Sequence, residues 1–82
     1  MNVTLKFRTG DILQGIRAGA YTVPDGCTAR EALDAAISEN NMVLADHDRE
    51  FLFVMVNNRH AKWENTLKDG DSLWILFKIL GG

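Results

Sequence analysis

One stretch of helical periodicity sits in the middle of a chain whose other ordered segments alternate like strands. After Thr28, apolar residues fall at Ala29, Ala32, Leu33, Ala36 and Ile37, the spacing of one helix face. Thr28-Ala29-Arg30-Glu31 has the form of a capping box, and Asn40-Asn41 supplies a stop. The pattern predicts one helix from about Thr28 to Glu39. A single helix can cover only one face of a sheet, so any sheet built by the rest of the chain has one face without a helix.

The strand signals lie on both sides of that helix. Met1 to Arg8 alternates, with Val3, Leu5 and Phe7 on one side and Asn2, Thr4, Lys6 and Arg8 on the other. Thr9 to Gly15 reads as a loop with a helical turn at Asp11-Ile12-Leu13. Arg17 to Val23 is a weaker strand that pairs with the first as a hairpin, and Pro24-Asp25-Gly26 is a turn. Beyond the helix, 41–50 is a connector ending in the charged turn Asp46-His47-Asp48-Arg49-Glu50. Phe51 to Asn57 is a strong strand, His60 to Trp63 a short one, Lys68-Asp69-Gly70-Asp71 a turn, and Ser72 to Leu80 the last strand. This order predicts an α+β fold of the β-grasp, ubiquitin-like type. Its mixed sheet has four to five strands, with first and last strands parallel at the centre and one main helix across it.

The last strand is apolar on both sides. If Leu73 and Ile75 face the helix, Trp74 and Leu76 stand on the open face. Phe53 and Met55 join them if Val54 and Val56 face the helix. An uncovered apolar patch of this kind predicts a partner site, with Trp74 as its anchor.

Composition narrows the function classes. The 82 residues suffice for one small domain, 1–82. A net charge of −2, with scattered basic residues, argues against nucleic-acid and anionic-membrane binding. The N-terminus enters a strand pattern directly, so no signal peptide is expected, and no apolar run is long enough to span a bilayer. The single cysteine suits a reducing, cytoplasmic location.

The sequence ends in Gly81-Gly82, which average glycine usage would produce by chance in roughly 0.5% of chains. Glycine lacks a Cβ and threads where other residues collide. With residue 82 as the carboxyl end, a flexible tail of Leu80, Gly81 and Gly82 reaches about 10 Å when extended. Such a tail can deliver a carboxylate into another protein's active site.

Val56-Asn57, then Leu67-x-Asp69-Gly70-Asp71, an apolar strand and the terminal Gly81-Gly82 together resemble the MoaD/ThiS family of small sulfur carriers. Length and spacing are closer to MoaD. One departure is Phe77-Lys78, where many MoaD sequences carry a proline pair, so the tail here is less stiff. The segment from Leu73 to Gly82 also resembles the ubiquitin tail in pattern. The resemblance implies that Gly82 is adenylated by an E1-like enzyme (MoeB- or ThiF-like) and converted to a thiocarboxylate. ATP would be used by that partner, and the chain itself would bind no cofactor. A larger MoaE-like synthase subunit would receive the sulfur in molybdopterin or tungstopterin synthesis. Two alternatives share the adenylated intermediate: a sulfur carrier for thiamine thiazole synthesis, and a ubiquitin-like modifier conjugated through Gly82. A plain binding module of the TGS type ranks last. The chain has no phosphate-binding loop of its own, which suits a substrate rather than an enzyme.

The other reactive residues have plainer readings. Cys27 sits just before the helix, where the dipole could lower its pKa, but such a residue is more often a small apolar filler, here packing toward Ala32 as a staple. His47 and His60 are isolated, with no second ligand at metal-site spacing. Asp69 and Asp71 read as turn formers, and Trp63 as part of the core. Lys78 could meet an acidic groove on a partner or protect an edge from aggregation.

Overall fold

Thr28 starts the long helix because two side chains cap it reciprocally. Its hydroxyl accepts the Glu31 N–H at 3.2 Å, and the Glu31 carboxylate accepts the Thr28 N–H at 2.9 Å. The computed structural model describes residues 1–78, and in it this helix, α1, runs Ala29–Glu39. The first N–H groups of a helix have no partner within it. Here those of Ala29 and Arg30 donate to the carbonyls of Asn65 and Trp63, at 2.9 and 3.0 Å. At the far end Asn40 is the C-cap, and Asn41 takes the left-handed conformation at φ 55°. All five periodic apolar residues of α1 are buried. Replacing Thr28 by Ala removes one half of the cap and should cost about 1 kcal/mol. Urea unfolding measures this, and a Glu31→Gln variant, which can keep the reciprocal bonds, should lose less.

Five strands form one mixed sheet: β1 (Asn2–Arg8), β2 (Gly19–Thr22), β3 (Leu52–Val56), β4 (Arg59–Ala61) and β5 (Ser72–Phe77), in the order β2-β1-β5-β3-β4. β1 and β5 are parallel neighbours at the centre, and the other pairs are antiparallel. This is the α+β, β-grasp arrangement that the element order predicts. Val3 and Leu5 of β1, Leu52 and Val54 of β3, and Leu73 and Ile75 of β5 are almost fully buried, in one core with Ala29, Ala32, Leu33 and Ala36 of α1.

Several boundaries differ from the sequence reading. The short fourth strand is Arg59–Ala61 rather than His60 to Trp63. Asn57 and Asn58 both have positive φ, 52° and 67°, so they make a two-residue hairpin loop that sets Arg59 directly opposite Val56. The chain then leaves the sheet, because the carbonyls of Trp63 and Asn65 serve the N-terminus of α1. The second strand is confined to Gly19–Thr22, and Arg17 instead lays its guanidinium over the Tyr21 ring at 4.0 Å. The charged turn at 46–50 closes into a short helix, α2 (Asp46–Arg49), as the Ala45 carbonyl accepts the N–H groups of Asp48 and Arg49. Arg49 holds it to α1 through Asp34 at 2.9 Å. Within the predicted loop, Leu13 adopts φ 57° and is buried. The last strand ends at Phe77; Ile79 and Leu80 of the predicted strand lie outside the described residues.

Candidate docking face and carrier end

The Val-Asn pair and the Asp-Gly-Asp turn do one structural job together. Asp71 accepts the Lys68 N–H at 2.7 Å through one oxygen and the Asn57 side-chain amide at 2.9 Å through the other. Asn57 in turn accepts the Ser72 N–H at 3.0 Å and donates its own N–H to the Ser72 carbonyl at 2.8 Å. Asp69 accepts the Asn2 N–H, and the Gly70 N–H donates to the Asn2 carbonyl. Gly70 has φ 86°, which a side chain would disfavour. This clasp fixes the end of β3 and the starts of β1 and β5, and so aims β5 across the sheet centre. Asp69 and Asp71 are thus occupied as turn formers.

With the register fixed, side-chain parity decides which residues face away from α1. Leu73 and Ile75 are fully buried, while Trp74 and Leu76 are half-buried on the other side. Met55 lies directly opposite Trp74, and Phe53 directly opposite Leu76. The structure therefore brings Trp74, Leu76, Phe53 and Met55 onto one face. Trp74, Leu76 and Met55 line a shallow depression with Arg8 and Asn58.

The surroundings of that patch are what the sequence reading missed. Parallel pairing sets Lys6 beside Trp74 and Arg8 beside Leu76. The Lys6 ammonium lies 5.3 Å and the Arg8 guanidinium 5.8 Å from the Trp74 ring centre, within cation–π range. His60 stacks on Phe53 with ring centres 5.5 Å apart. The available signal was the alternation of β1, which puts Lys6 and Arg8 on the side opposite Val3 and Leu5, combined with the parallel pairing of the end strands.

Lys78 stands apart from this face. Its N–H donates to the Phe51 carbonyl at 2.6 Å, and its side chain lines a cleft with Arg30, Asp46, Arg49, Glu50, Leu52 and Trp63. Phe77 is 41% exposed and stacks on Phe51. Leu80, Gly81 and Gly82, the predicted carrier end, lie outside the described residues.

Cys27 belongs to the core. It is 6% exposed, and its carbonyl accepts the Leu67 N–H at 2.8 Å. Burial pushes its thiol above the ordinary value of 9.0, the Glu31 carboxylate pushes it further, and the N-terminal ammonium opposes both weakly. Desolvation, which disfavours the thiolate, outweighs any lowering by the helix dipole, and the apolar-filler reading fits. The folded state keeps this proton where the unfolded chain releases it, so the contribution to stability is complete below pH 9.0 and is lost as pH rises through the folded value. Urea midpoints above pH 9.0 should fall more steeply for the wild type than for Cys27→Ala. His47 lies in α2 beside Asp48, far in sequence from His60 in β4. Among the described residues no cluster of His, Cys, Asp or Glu is arranged to hold a metal ion, and no helix is long and apolar enough to cross a membrane.

Comparison with known proteins agrees with this architecture. No family model matches the sequence, and no curated protein matches it either. Solved structures do. SAMP1 from Haloferax volcanii superposes with a TM-score of 0.72 at 20% identity, covering 100% of both chains. A Pyrococcus furiosus protein described as molybdopterin converting factor subunit 1 gives 0.71 at 19% identity, over 96% of this chain and 99% of that one. A chain of the Amycolatopsis orientalis BexX/CysO complex gives 0.60 at 25% identity, over 98% and 99%. The chain is a ubiquitin-like β-grasp protein, the architecture that its resemblance to the MoaD/ThiS-like carriers implies.

Proposed function

We propose that this chain is a sulfur carrier whose C-terminal Gly82 is activated by an E1-like enzyme and donates sulfur in molybdopterin synthesis. The observation that carries the reading is β5. It is the central strand, it presents Trp74 and Leu76 on a face without a helix, and the sequence continues from it directly to Gly81-Gly82. A partner that covers the open face would contact a strand only a few residues before Gly81-Gly82 in the sequence.

The chemistry follows from the carboxylate. A carboxylate oxygen of Gly82 attacks the α-phosphorus of ATP on the partner enzyme, and pyrophosphate leaves. A sulfide equivalent supplied by that system then adds at the acyl carbon and AMP departs. Gly82 now ends in a thiocarboxylate, a soft nucleophile that adds at an electrophilic carbon of a pterin precursor bound to a larger, MoaE-like synthase subunit. Hydrolysis of the resulting acyl–sulfur bond regenerates the carboxylate and leaves sulfur on the acceptor. ATP is the partner's substrate, and the chain supplies the reacting end and the docking face. The reading places the protein in the cytoplasm, where the nucleotide and a reduced sulfur source are available.

A second reading has its own support. A Haloferax volcanii protein of the same fold is described as small archaeal modifier protein 1, with a TM-score of 0.70 at 19% identity. A modifier would pass the same adenylate to a lysine as an isopeptide. A denaturing blot of extract from the native host, with the chain tagged at its N-terminus, distinguishes the two. The carrier reading expects one free band and a partner that separates on denaturation. A ladder of heavier bands that vanishes on deletion of Gly82 would establish the modifier instead.

A further inference from the structure

The net charge of −2 hides an uneven distribution. All eleven carboxylate side chains lie outside the five strands, whose only Lys and Arg residues are Lys6, Arg8 and Arg59. Two of those three, Lys6 and Arg8, flank Trp74 on the open face. The segment from Ala29 to Glu50, which includes both helices, carries six carboxylates, Glu31, Asp34, Glu39, Asp46, Asp48 and Glu50, against two arginines. The domain is thus basic on its apolar sheet face and acidic on its helical side.

We infer that the partner surface received by the open face is apolar at its centre and carries carboxylates along the flank that meets β1, where they pair with Lys6 and Arg8. This rests on the docking of an E1-like adenylating enzyme proposed above and specifies that enzyme's surface. Among the described residues no carboxylate pairs with Lys6 or Arg8, so both cations are available to a partner. A wholly apolar partner would strip water from two charges beside Trp74 and return nothing, which is costly. A basic partner would add repulsion. Carboxylates placed over β1 satisfy both cations while the indole and its neighbours are buried. A second copy presenting the same face would set its own Lys6 and Arg8 into a basic surface, so this face is built against self-pairing.

The two kinds of residue then divide the work. Complementary charge raises the rate of encounter and makes it depend on salt, while the buried aromatic anchor sets how long the complex lasts. The test is stopped-flow binding of the chain to the E1-like adenylating enzyme encoded in the same genome, over a tenfold range of ionic strength. Wild-type association should slow markedly as salt rises. The double reversal Lys6→Glu with Arg8→Glu should slow association at low salt by about tenfold or more and flatten its salt dependence. Trp74→Ala should chiefly speed dissociation. Lys6 and Arg8 are exposed, so the reversed chain should retain its melting temperature, which confirms that it is folded.

Each other outcome overturns the inference at a distinguishable level. If the reversal binds with wild-type rates and salt dependence while Trp74→Ala still weakens the complex, the face docks but its charge is irrelevant. If neither variant alters binding, the docking face itself is misassigned. If the enzyme does not bind at all, the partner is wrong. If sedimentation shows the chain self-associating and the reversal abolishes it, the occupant is the acidic helical side of a second copy.

Discussion

Removal of Gly82 is expected to leave the protein folded and unable to accept sulfur. Every buried side chain of the described core lies at or before Ile75, and the sheet closes at Phe77. Losing one residue beyond them should therefore change the melting temperature very little. The wild-type chain, incubated with an E1-like adenylating enzyme, ATP and a sulfur donor, should gain the mass of one oxygen exchanged for sulfur. The truncated chain should gain nothing, because its new end, Gly81, stops one residue short of the reacting position. A hundredfold loss of rate is a reasonable scale, since misplacement by about 1 Å can already cost that much. Intact-mass spectrometry reads both species in one experiment. Equal sulfuration of the truncated chain would show that the carboxyl end is not the carrier.

The second large effect separates the two faces of one strand. Leu73 and Ile75 are both 0% exposed, and replacing either with Ala should cost about 2–5 kcal/mol by leaving a cavity. For 82 residues the whole folding free energy is only about 4–12 kcal/mol, so either change should lower the melting temperature by about 8 °C or more. Trp74, one position away, is half-buried and should cost less on folding. Its loss should appear in binding, as about 2 kcal/mol or roughly thirtyfold in partner affinity. The comparison needs thermal melts and titrations of all three variants with the adenylating enzyme. Equal thermal losses in the three, with binding unchanged, would make Trp74 a core residue and remove the docking face.

Sequence alone determined the elements whose cause is local. The helix is legible because its cap, its apolar period and its asparagine stop involve residues within a few positions of one another, and the structure keeps each of them. The alternation of β1 is legible for the same reason, since a period of two needs no knowledge of the neighbouring strand. The Gly81-Gly82 end is a pure sequence signal, and it lies beyond the described residues.

Tertiary structure decided what depends on pairing across long sequence separations. The fourth strand is displaced because the carbonyls of Trp63 and Asn65 are drawn to the N-terminus of α1, more than thirty residues away in sequence, a demand invisible in a local window. The choice between filler and reactive thiol at Cys27 is made by burial, which outweighs the helix terminus it sits beside. Lys6 and Arg8 become part of the candidate site only when β1 lies parallel to β5, which carries two exposed cations from the start of the chain to a tryptophan near its end. Local pattern sets which way a side chain points, but only the register of the sheet sets what stands next to it, and the chemistry of a docking face is made of neighbours.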